Sequence, residues 1–193
     1  MWINEFPERK PIYGRVVAIG RLAEQKNYEK MIRSFALVHK QCKDATLHIY
    51  GDGPLKTKLE SLIINLDLTN SVFLEGITKN IIQVYRQAAI FVMFSQGEGY
   101  PNALMEALAM GVPAISSDCP VGGPRDMIRD GENGFLVACD NEEELADRII
   151  TLLQEPELCL KFSNNAISIR ESNRFDIIYN RIMDYIRSIE YGK

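Results

Sequence analysis

The chain has 193 residues, of which 46% are hydrophobic and 25% charged, and its formal net charge is −4. This length can bury the core of one globular domain, and the composition is ordinary for a soluble protein. The acidic balance argues against a nucleic-acid surface, which needs a concentrated basic stripe, and no apolar run is long enough to cross a bilayer.

Residues 1–14 contain prolines and little periodicity, so we expect a linker at the edge of the domain. The start of the chain also lacks the charged-then-apolar order of a secretory signal. The four cysteines show no close pair and no histidine at metal-ligand spacing, which favours reduced, structural thiols. These features predict a cytoplasmic location, with peripheral attachment to the inner membrane face left open.

Strands and helices alternate from residue 15 onward. Apolar runs predict strands at residues 15–20, 45–50, 72–76, 88–94 and 112–115, and the four segments between them have apolar residues at helical spacing. A short helix at 125–129, a sixth strand at 135–137, and helices over 141–153, 156–170 and 175–189 are predicted next. Without a hairpin signal, this alternation predicts an α/β fold: a Rossmann-like parallel sheet of about six strands flanked by helices.

The loop after the first predicted strand carries two cations. Arg21 and Lys26 follow Gly20, whose missing side chain lets the backbone approach a ligand closely. In doubly wound sheets, ligands bind outside the carboxyl ends of the strands. A planar guanidinium and a compact ammonium suit the two phosphates of a diphosphate.

The glycine loop after the fourth predicted strand carries two carboxylates separated by seven residues. Glu98 lies in the loop, and Glu106 lies on the helix that leaves it, one turn beyond Asn102. The free N–H groups at the start of that helix carry a partial positive charge. We therefore expect a crevice that accepts a ligand with both phosphates and hydroxyls.

Other phosphate-binding signatures are incomplete. The nearest candidate for a dinucleotide fingerprint is Gly51-Asp52-Gly53, which lacks the third glycine, and there is neither a P-loop nor a D-x-D pair. Protein cations and a helix end are then expected to neutralise phosphate in place of Mg²⁺. We predict no metal and no cofactor.

Four motifs in register resemble the C-terminal, nucleotide-sugar-binding domain of family-4 retaining glycosyltransferases, which have the two-domain GT-B fold. They are G-R-L-x(3)-K-N from Gly20, H-I-Y-G-D-G-P from His48, V-F-L-E-G from Val72, and E-G-Y-P-N-x(3)-E-A-L-A-M-G-V-P from Glu98. The resemblance covers about residues 16–150. It implies that residues 15–172 form the donor-nucleotide-binding domain, and that residues 173–193 form a helix packing toward an N-terminal domain not contained in the chain.

The resemblance also implies roles for single residues. Arg21 and Lys26 match the pair that holds the diphosphate, Glu98 matches the carboxylate that contacts the donor sugar, and these three are the predicted catalytic residues. Glu106 matches the carboxylate that accepts hydrogen bonds from the ribose hydroxyls. Further nucleotide-sugar contacts are implied for Gly20, Gly76, Ile77, Thr78, Gly99, Tyr100, Pro101 and Asn102, with the base expected at residues 76–78.

Two positions depart from the family pattern: the family often has Gly where this chain has Asn27, and Glu where it has Asp126. The implied function is transfer of a hexose or N-acetylhexosamine from a nucleotide diphosphate sugar, with UDP preferred, to a hydroxyl acceptor in glycan or surface polysaccharide synthesis. The implied partners are this donor, the N-terminal domain and a glycan or lipid-linked acceptor.

Three alternatives stay open from the sequence. The chain could be a nucleotide-sugar-binding module without activity of its own. A nucleotide-sugar epimerase and a phosphorylase share the two-domain architecture, but would place their catalytic groups differently. By itself, the 193-residue chain is expected to bind donor nucleotide weakly and to be inactive.

Overall fold

The computed structural model describes residues 6–172, so the helix predicted at 175–189 lies outside the described part. Six parallel strands form one sheet in the order β3-β2-β1-β4-β5-β6. Their bounds are β1 Arg15–Ile19, β2 Thr46–Tyr50, β3 Val72–Gly76, β4 Ile90–Met93, β5 Ala114–Ser117 and β6 Gly134–Val137. The predicted Rossmann-like parallel sheet is confirmed.

Seven α-helices and one short 3-10 helix, Glu24–Lys26, are described within residues 6–172. The α-helices are α1 Tyr28–Gln41, α2 Lys56–Asn65, α3 Ile81–Gln87, α4 Asn102–Ala109, α5 Glu142–Gln154, α6 Pro156–Ala166 and α7 Ile169–Ser172. Within residues 6–172, no helix combines the length and the apolar character that a bilayer span requires.

Two apolar clusters cover the two faces of the sheet. One contains the buried stripes of α1, α2 and α5 with inward residues of the strands, such as Val16 and Ile49. The other contains residues of α3 and α4 with Val17 and Phe91. Val16 and Val17 point to opposite faces because successive strand residues alternate, and all four residues of β4 are buried because helices cover both sides.

The predicted helix at 125–129 is wrong, because residues 123–127 form a series of turns. One helical hydrogen bond forms, from Ile128 N to Pro124 O. The next amide, Arg129 N, donates instead to the side-chain Oδ1 of Asn133 at 2.7 Å, so a helical ladder does not continue. The helix predicted over 156–170 is interrupted after Ala166 and resumes at Ile169.

The segment before β1 lies against the domain. Arg9 donates hydrogen bonds to the carbonyl oxygens of Gly111 at 2.5 Å and Ala88 at 2.6 Å, and to Ser163 Oγ at 2.9 Å. The backbone amide of Ile12 donates to Gln87 O. These bonds fix residues 9–12 to the loops at the amino-terminal edge of the sheet.

Candidate functional site

The candidate site lies at the carboxyl edge of the sheet, between β1 and β4. The strand order runs outward from β1 to β3 on one side and from β4 to β6 on the other, so these two strands flank the topological switch point. Open α/β sheets bind ligands in the crevice outside this point. The loops that leave β1 and β4 carry Arg21, Lys26 and Glu98, all predicted from the sequence.

These two loops are joined by a short run of hydrogen bonds. Gln96 N donates to Gln25 O at 2.8 Å, and Gln25 Nε2 donates to Gly97 O at 2.5 Å. The next pair along is ionic: Lys26 Nζ lies 2.5 Å from Glu98 Oε1. The cation loop and the carboxylate loop therefore form one rim. Sequence reasoning missed the two glutamines, since an amide in a polar loop carries no signal of its partner.

The Lys26–Glu98 pair is partly shielded from water. The side chains are 25% and 11% exposed. A Cβ at Gly20 would lie 3.0 Å from the Tyr28 hydroxyl and 3.3 Å from Lys26 Cε, so the glycine leaves room for the lysine stem. Burial, and then the charge of Glu98, raise the pKa of Tyr28. Its hydroxyl therefore stays neutral beside the pair.

Arg21 is the second predicted cation of this rim. Its side chain is exposed, and among residues 6–172 it has no described hydrogen bond or ion pair. Its backbone carbonyl accepts from Ala23 N at 2.8 Å, which shapes the turn after β1. Arg21 therefore adds an exposed guanidinium to the same loop as the paired ammonium of Lys26.

Asn27 ties the rim to the turn before α5. It adopts a left-handed conformation, with φ at 55°. Glycine adopts this conformation without strain, and Asn tolerates it better than most other residues. Its Nδ2 donates to Asp140 Oδ1 at 2.8 Å, and Lys30 Nζ pairs with the same oxygen at 2.9 Å. Asp140 therefore holds the residue that follows Lys26, a role that its sequence position did not indicate.

Asp140→Asn is expected to lower the melting temperature at pH 7 by about 2 °C or less, as for an exposed ion pair. The hydrogen bond from Lys30, above all, lowers the pKa of Asp140. The stabilisation is present above the ordinary aspartate pKa of about 3.9 and is lost as the pH falls through the lower folded value. The difference in melting temperature between the wild type and the variant should therefore become smaller as the pH is lowered from 6 toward 3.

Asp67→Asn is the matched control for this melting experiment. Asp140 and Asp67 both adopt the left-handed conformation, with φ at 66° and 56°, but within residues 6–172 the Asp67 side chain has no described partner. Both variants gain the same backbone preference of Asn, so only the ion pair differs between them. A pH-independent difference between the wild type and Asp140→Asn would show that the ion pair does not stabilise the rim.

The loop between β5 and the turns at 123–127 closes over the rim from the other side. Gly123 N donates to Glu98 O at 3.3 Å. A Cβ on Gly123 would overlap Gly99 O and lie 2.7 Å from the Gly99 carbonyl carbon, so only glycine fits. Arg125 pairs with Asp118 across the base of the loop. Gly123 thereby holds the backbone of Glu98 and Gly99, and Arg125 joins the two ends of its own loop, which contains the Gly-Gly-Pro run at residues 122–124.

Glu106 lies on α4, on the far side of the glycine loop. Its Oε2 accepts a hydrogen bond from the Tyr85 hydroxyl at 2.9 Å. The start of α4 is formed by Pro101, whose carbonyl accepts from Leu104 N and Met105 N, and by Asn102, the first helical residue. Within residues 6–172, no described contact joins Glu106 to Lys26 or Glu98.

The remaining predicted residues lie at the periphery. Gly76 has φ at 72°, Ile77 is 80% exposed, and Thr78 Oγ1 accepts from Asn80 N at 3.1 Å. Gly76 is the last residue of β3 and the other two follow it; β3 lies two strands from β1, roughly 10 Å at the usual strand spacing. Tyr100 is exposed beside Gly99 in the glycine loop, and its hydroxyl lies 3.5 Å from Met105 Sδ. Gly51 links these residues to the cation loop, because its amide donates to Gly76 O at 2.8 Å and a Cβ on it would lie 2.0 Å from Gly20 O.

A cavity of about 410 Å³ lies at the opposite edge of the sheet, between residues such as Tyr13, Ile90 and Leu153. None of the predicted site residues lines it, and it lies at the amino-terminal ends of β1 and β4. Ligands of open α/β sheets bind at the other edge. We therefore place the functional site at the rim. Among the described residues, no group of three His, Cys, Asp or Glu side chains is arranged to hold a metal ion.

Fold and site together define a Rossmann-like α/β domain whose charged loops meet at the switch point, the class of domain that binds phosphorylated ligands there. The sequence profile described as "Glycosyl transferases group 1" matches residues 2–169. The chain belongs to this family. Its solved structural neighbours are glycosyltransferases with the GT-B fold.

Individual relatives of the chain are also named as glycosyltransferases. The chain is 35% identical over 190 residues to an uncharacterized glycosyltransferase of Methanocaldococcus jannaschii, covering 83% of this chain and 46% of the relative. It is 34% identical over 157 residues to the poly(glycerol-phosphate) alpha-glucosyltransferase of Bacillus subtilis, covering 81% and 23%.

A solved structure of S. aureus TarM in complex with fondaparinux, alpha-GlcNAc-glycerol and UDP superposes with a TM-score of 0.89 at 28% identity, covering 95% of this chain and 37% of TarM. The chain spans less than half the length of each of these three proteins.

Proposed function

We propose that the chain is the donor-binding part of a family-4 retaining glycosyltransferase. It would transfer a hexose or N-acetylhexosamine from a UDP-sugar to a hydroxyl acceptor in glycan or surface polysaccharide synthesis. The observation that carries this proposal is the contact between Lys26 and Glu98 at the switch point. It unites a cation for the diphosphate and an acceptor for sugar hydroxyls in one rim.

Loss of a nucleoside diphosphate leaves negative charge on the departing phosphate. Fixed cations in a partly dry site stabilise that charge in the transition state. Lys26 is held by Glu98, and Arg21 is exposed without a described partner in residues 6–172. In the proposed complex, both side chains contact the diphosphate. Glu98 then exchanges part of its pairing with Lys26 for hydrogen bonds from sugar hydroxyls, which are donors that a carboxylate accepts well.

Glu106 is the proposed acceptor for the ribose hydroxyls. It lies on the helix that begins at the glycine loop, and it is exposed to solvent. The backbone of residues 99–102 is proposed to contact the phosphates and sugar, and residues 76–78 the base. Protein cations and the start of α4 neutralise the diphosphate in this proposal, so no metal is required.

The names of similar proteins support UDP as the donor nucleotide. The TarM structure contains UDP, and that of a pneumococcal O-GlcNAc transferase, 26% identical with a TM-score of 0.81, contains UDP and GlcNAc. The Bacillus subtilis relative and a Staphylococcus aureus poly(ribitol-phosphate) alpha-N-acetylglucosaminyltransferase are named for alpha-linked transfer. Alpha products are expected from retention when the donor sugar is itself alpha-linked to the diphosphate.

The proposal includes a second domain that completes the cleft. Because the chain spans less than half the length of these relatives, we propose that the acceptor binds mainly to an N-terminal domain. Positioning of acceptor and donor supplies much of the rate acceleration in group transfer. The 193-residue chain is accordingly proposed to bind UDP weakly and to have little or no activity alone.

Calorimetric titration of the chain with UDP and GDP tests this function. UDP is expected to bind more tightly than GDP, and Glu106→Ala to weaken UDP binding about tenfold, as for a lost hydrogen bond to a charged group. Glu60→Ala is the control, since Glu60 is an exposed helix glutamate without a described partner in residues 6–172. Equal UDP affinity of Glu106→Ala and the wild type would remove Glu106 from the site.

A further inference from the structure

Tyr85 contacts the proposed ribose acceptor from inside the protein. Tyr85 is 1% exposed, and its ring belongs to the apolar cluster of α3, α4 and β4. The ring packs against Phe91, with centroids 6.2 Å apart. Its hydroxyl lies at the edge of this cluster and contacts α4, at 2.9 Å from Glu106 Oε2 and 3.1 Å from the carbonyl oxygen of Ala103.

The two acceptors are one helical turn apart on the same face of α4. A phenol has one proton to donate, and a carboxylate is a stronger acceptor than a carbonyl already within a helix. Glu106 itself is exposed, so without a partner its side chain would sample several rotamers. Because the ring is locked in the core, the hydroxyl is a fixed point that selects one of these rotamers.

The bond to Tyr85 uses only one oxygen of the carboxylate. Within residues 6–172, Glu106 Oε1 has no described hydrogen-bond partner, and each carboxylate oxygen accepts more than one hydrogen bond. The two adjacent hydroxyls of a ribose are two donors at fixed spacing. A carboxylate held in one orientation receives both without the entropy cost of ordering its side chain.

We propose that Tyr85 is a positioning residue for ribose recognition: its buried hydroxyl holds Glu106 in the rotamer that receives the 2′- and 3′-hydroxyls of the donor nucleotide. This inference rests on the proposed function, since it needs a nucleotide at the rim. Tyr85 itself does not touch the ligand.

The protonation of Tyr85 fits this role. Burial first, and then the negative charge of Glu106, raise the pKa of the phenol. The hydroxyl therefore keeps its proton at neutral pH and acts as donor. A purely structural role predicts a different result. If the hydroxyl served only to stabilise the core, its removal would lower the stability of the fold and leave the preference for nucleotides with ribose hydroxyls unchanged.

Calorimetry of the 193-residue chain with UDP and 2′,3′-dideoxy-UDP separates these roles. The wild type is expected to prefer UDP, because only UDP carries the hydroxyls that Glu106 accepts. Tyr85→Phe keeps the ring and removes the hydroxyl. This variant should weaken UDP binding about fivefold, which corresponds to part of the free energy of a charge-assisted hydrogen bond. It should leave the binding of dideoxy-UDP unchanged. In a Glu106→Gln background, Tyr85→Phe should have little further effect, because coupled residues are not additive.

Tyr13→Phe is the matched control, since it deletes a hydroxyl that donates to Leu153 O at 3.1 Å near the opposite edge of the sheet. It should not change the preference for UDP. The role of Tyr85 is overturned if Tyr85→Phe weakens the binding of UDP and dideoxy-UDP equally, or weakens neither, while the wild type still prefers UDP. In that case the proposed function still stands. A wild type that does not bind UDP would overturn both.

If Tyr85→Phe does not fold, a crystal structure of the wild-type chain with UDP decides the question. The inference requires that the hydroxyl of Tyr85 still donate to Glu106 while the carboxylate receives the ribose hydroxyls. A complex in which Glu106 has left Tyr85 to reach the ribose refutes it.

Discussion

Lys26→Ala is expected to weaken UDP binding about 30-fold, as for a lost charge-assisted contact. Two effects add. The variant removes one of the two cations proposed to hold the diphosphate. It also leaves the carboxylate of Glu98, only 11% exposed, without the ammonium that lies 2.5 Å from it, so an unpaired negative charge faces the phosphates. The affinity for uridine, which has no phosphate, should be nearly unchanged, and UMP should show an intermediate loss.

The second effect can be measured separately. In a Lys26→Ala/Glu98→Gln double variant the unpaired charge is gone, and part of the UDP affinity should return. Lys58→Ala is the control, because it breaks an ion pair of 2.6 Å with Glu29 in the helical layer. It should bind UDP as the wild type does. If Lys26→Ala weakens uridine as much as UDP, then Lys26 supports the loop and does not bind the diphosphate.

Gly123→Ala is expected to weaken binding of UDP-glucose and UDP-N-acetylglucosamine about 20-fold. The added Cβ would overlap the carbonyl oxygen of Gly99 and lie 3.0 Å from that of Glu98. These are backbone atoms, so either the Gly-Gly-Pro loop or the glycine loop must move. Such overpacking typically costs about 1–3 kcal/mol, and here it displaces the residue proposed to hold the donor sugar.

Gly97→Ala is the control on the same glycine loop, because a Cβ there meets no atom within 4 Å. It should bind both UDP-sugars nearly as the wild type does, and both variants should keep a cooperative melting transition. If the two alanine variants bind alike, the loop after β5 does not position Glu98. Binding of UDP alone shows whether the effect comes from Glu98, since displacement of Glu98 should weaken the binding of UDP-sugars more than the binding of UDP.

Much of the fold followed from local pattern. Alternating strand and helix periodicity predicted all six strands, because a parallel sheet buried on both faces needs continuous apolar runs and crossover helices. The helix predicted over 141–153 begins directly after Asn141, whose side chain accepts a hydrogen bond from Glu144 N. The helix predicted at 125–129 failed because the Asn133 side chain takes the amide that would have continued it. Such competition from a side chain four residues away has no periodic signal.

For the site, the sequence alone determined which residue types follow which strands: cations after β1 and carboxylates after β4, hence one charged edge. Only the tertiary structure decided how they pair. Lys26 contacts Glu98, Asp140 holds Asn27, Gly123 lies on Gly99, and Tyr85 holds Glu106. The reason is physical: periodicity reports which side of its own element a residue faces, whereas these partners lie far apart in the chain and meet only after the sheet and its loops have packed.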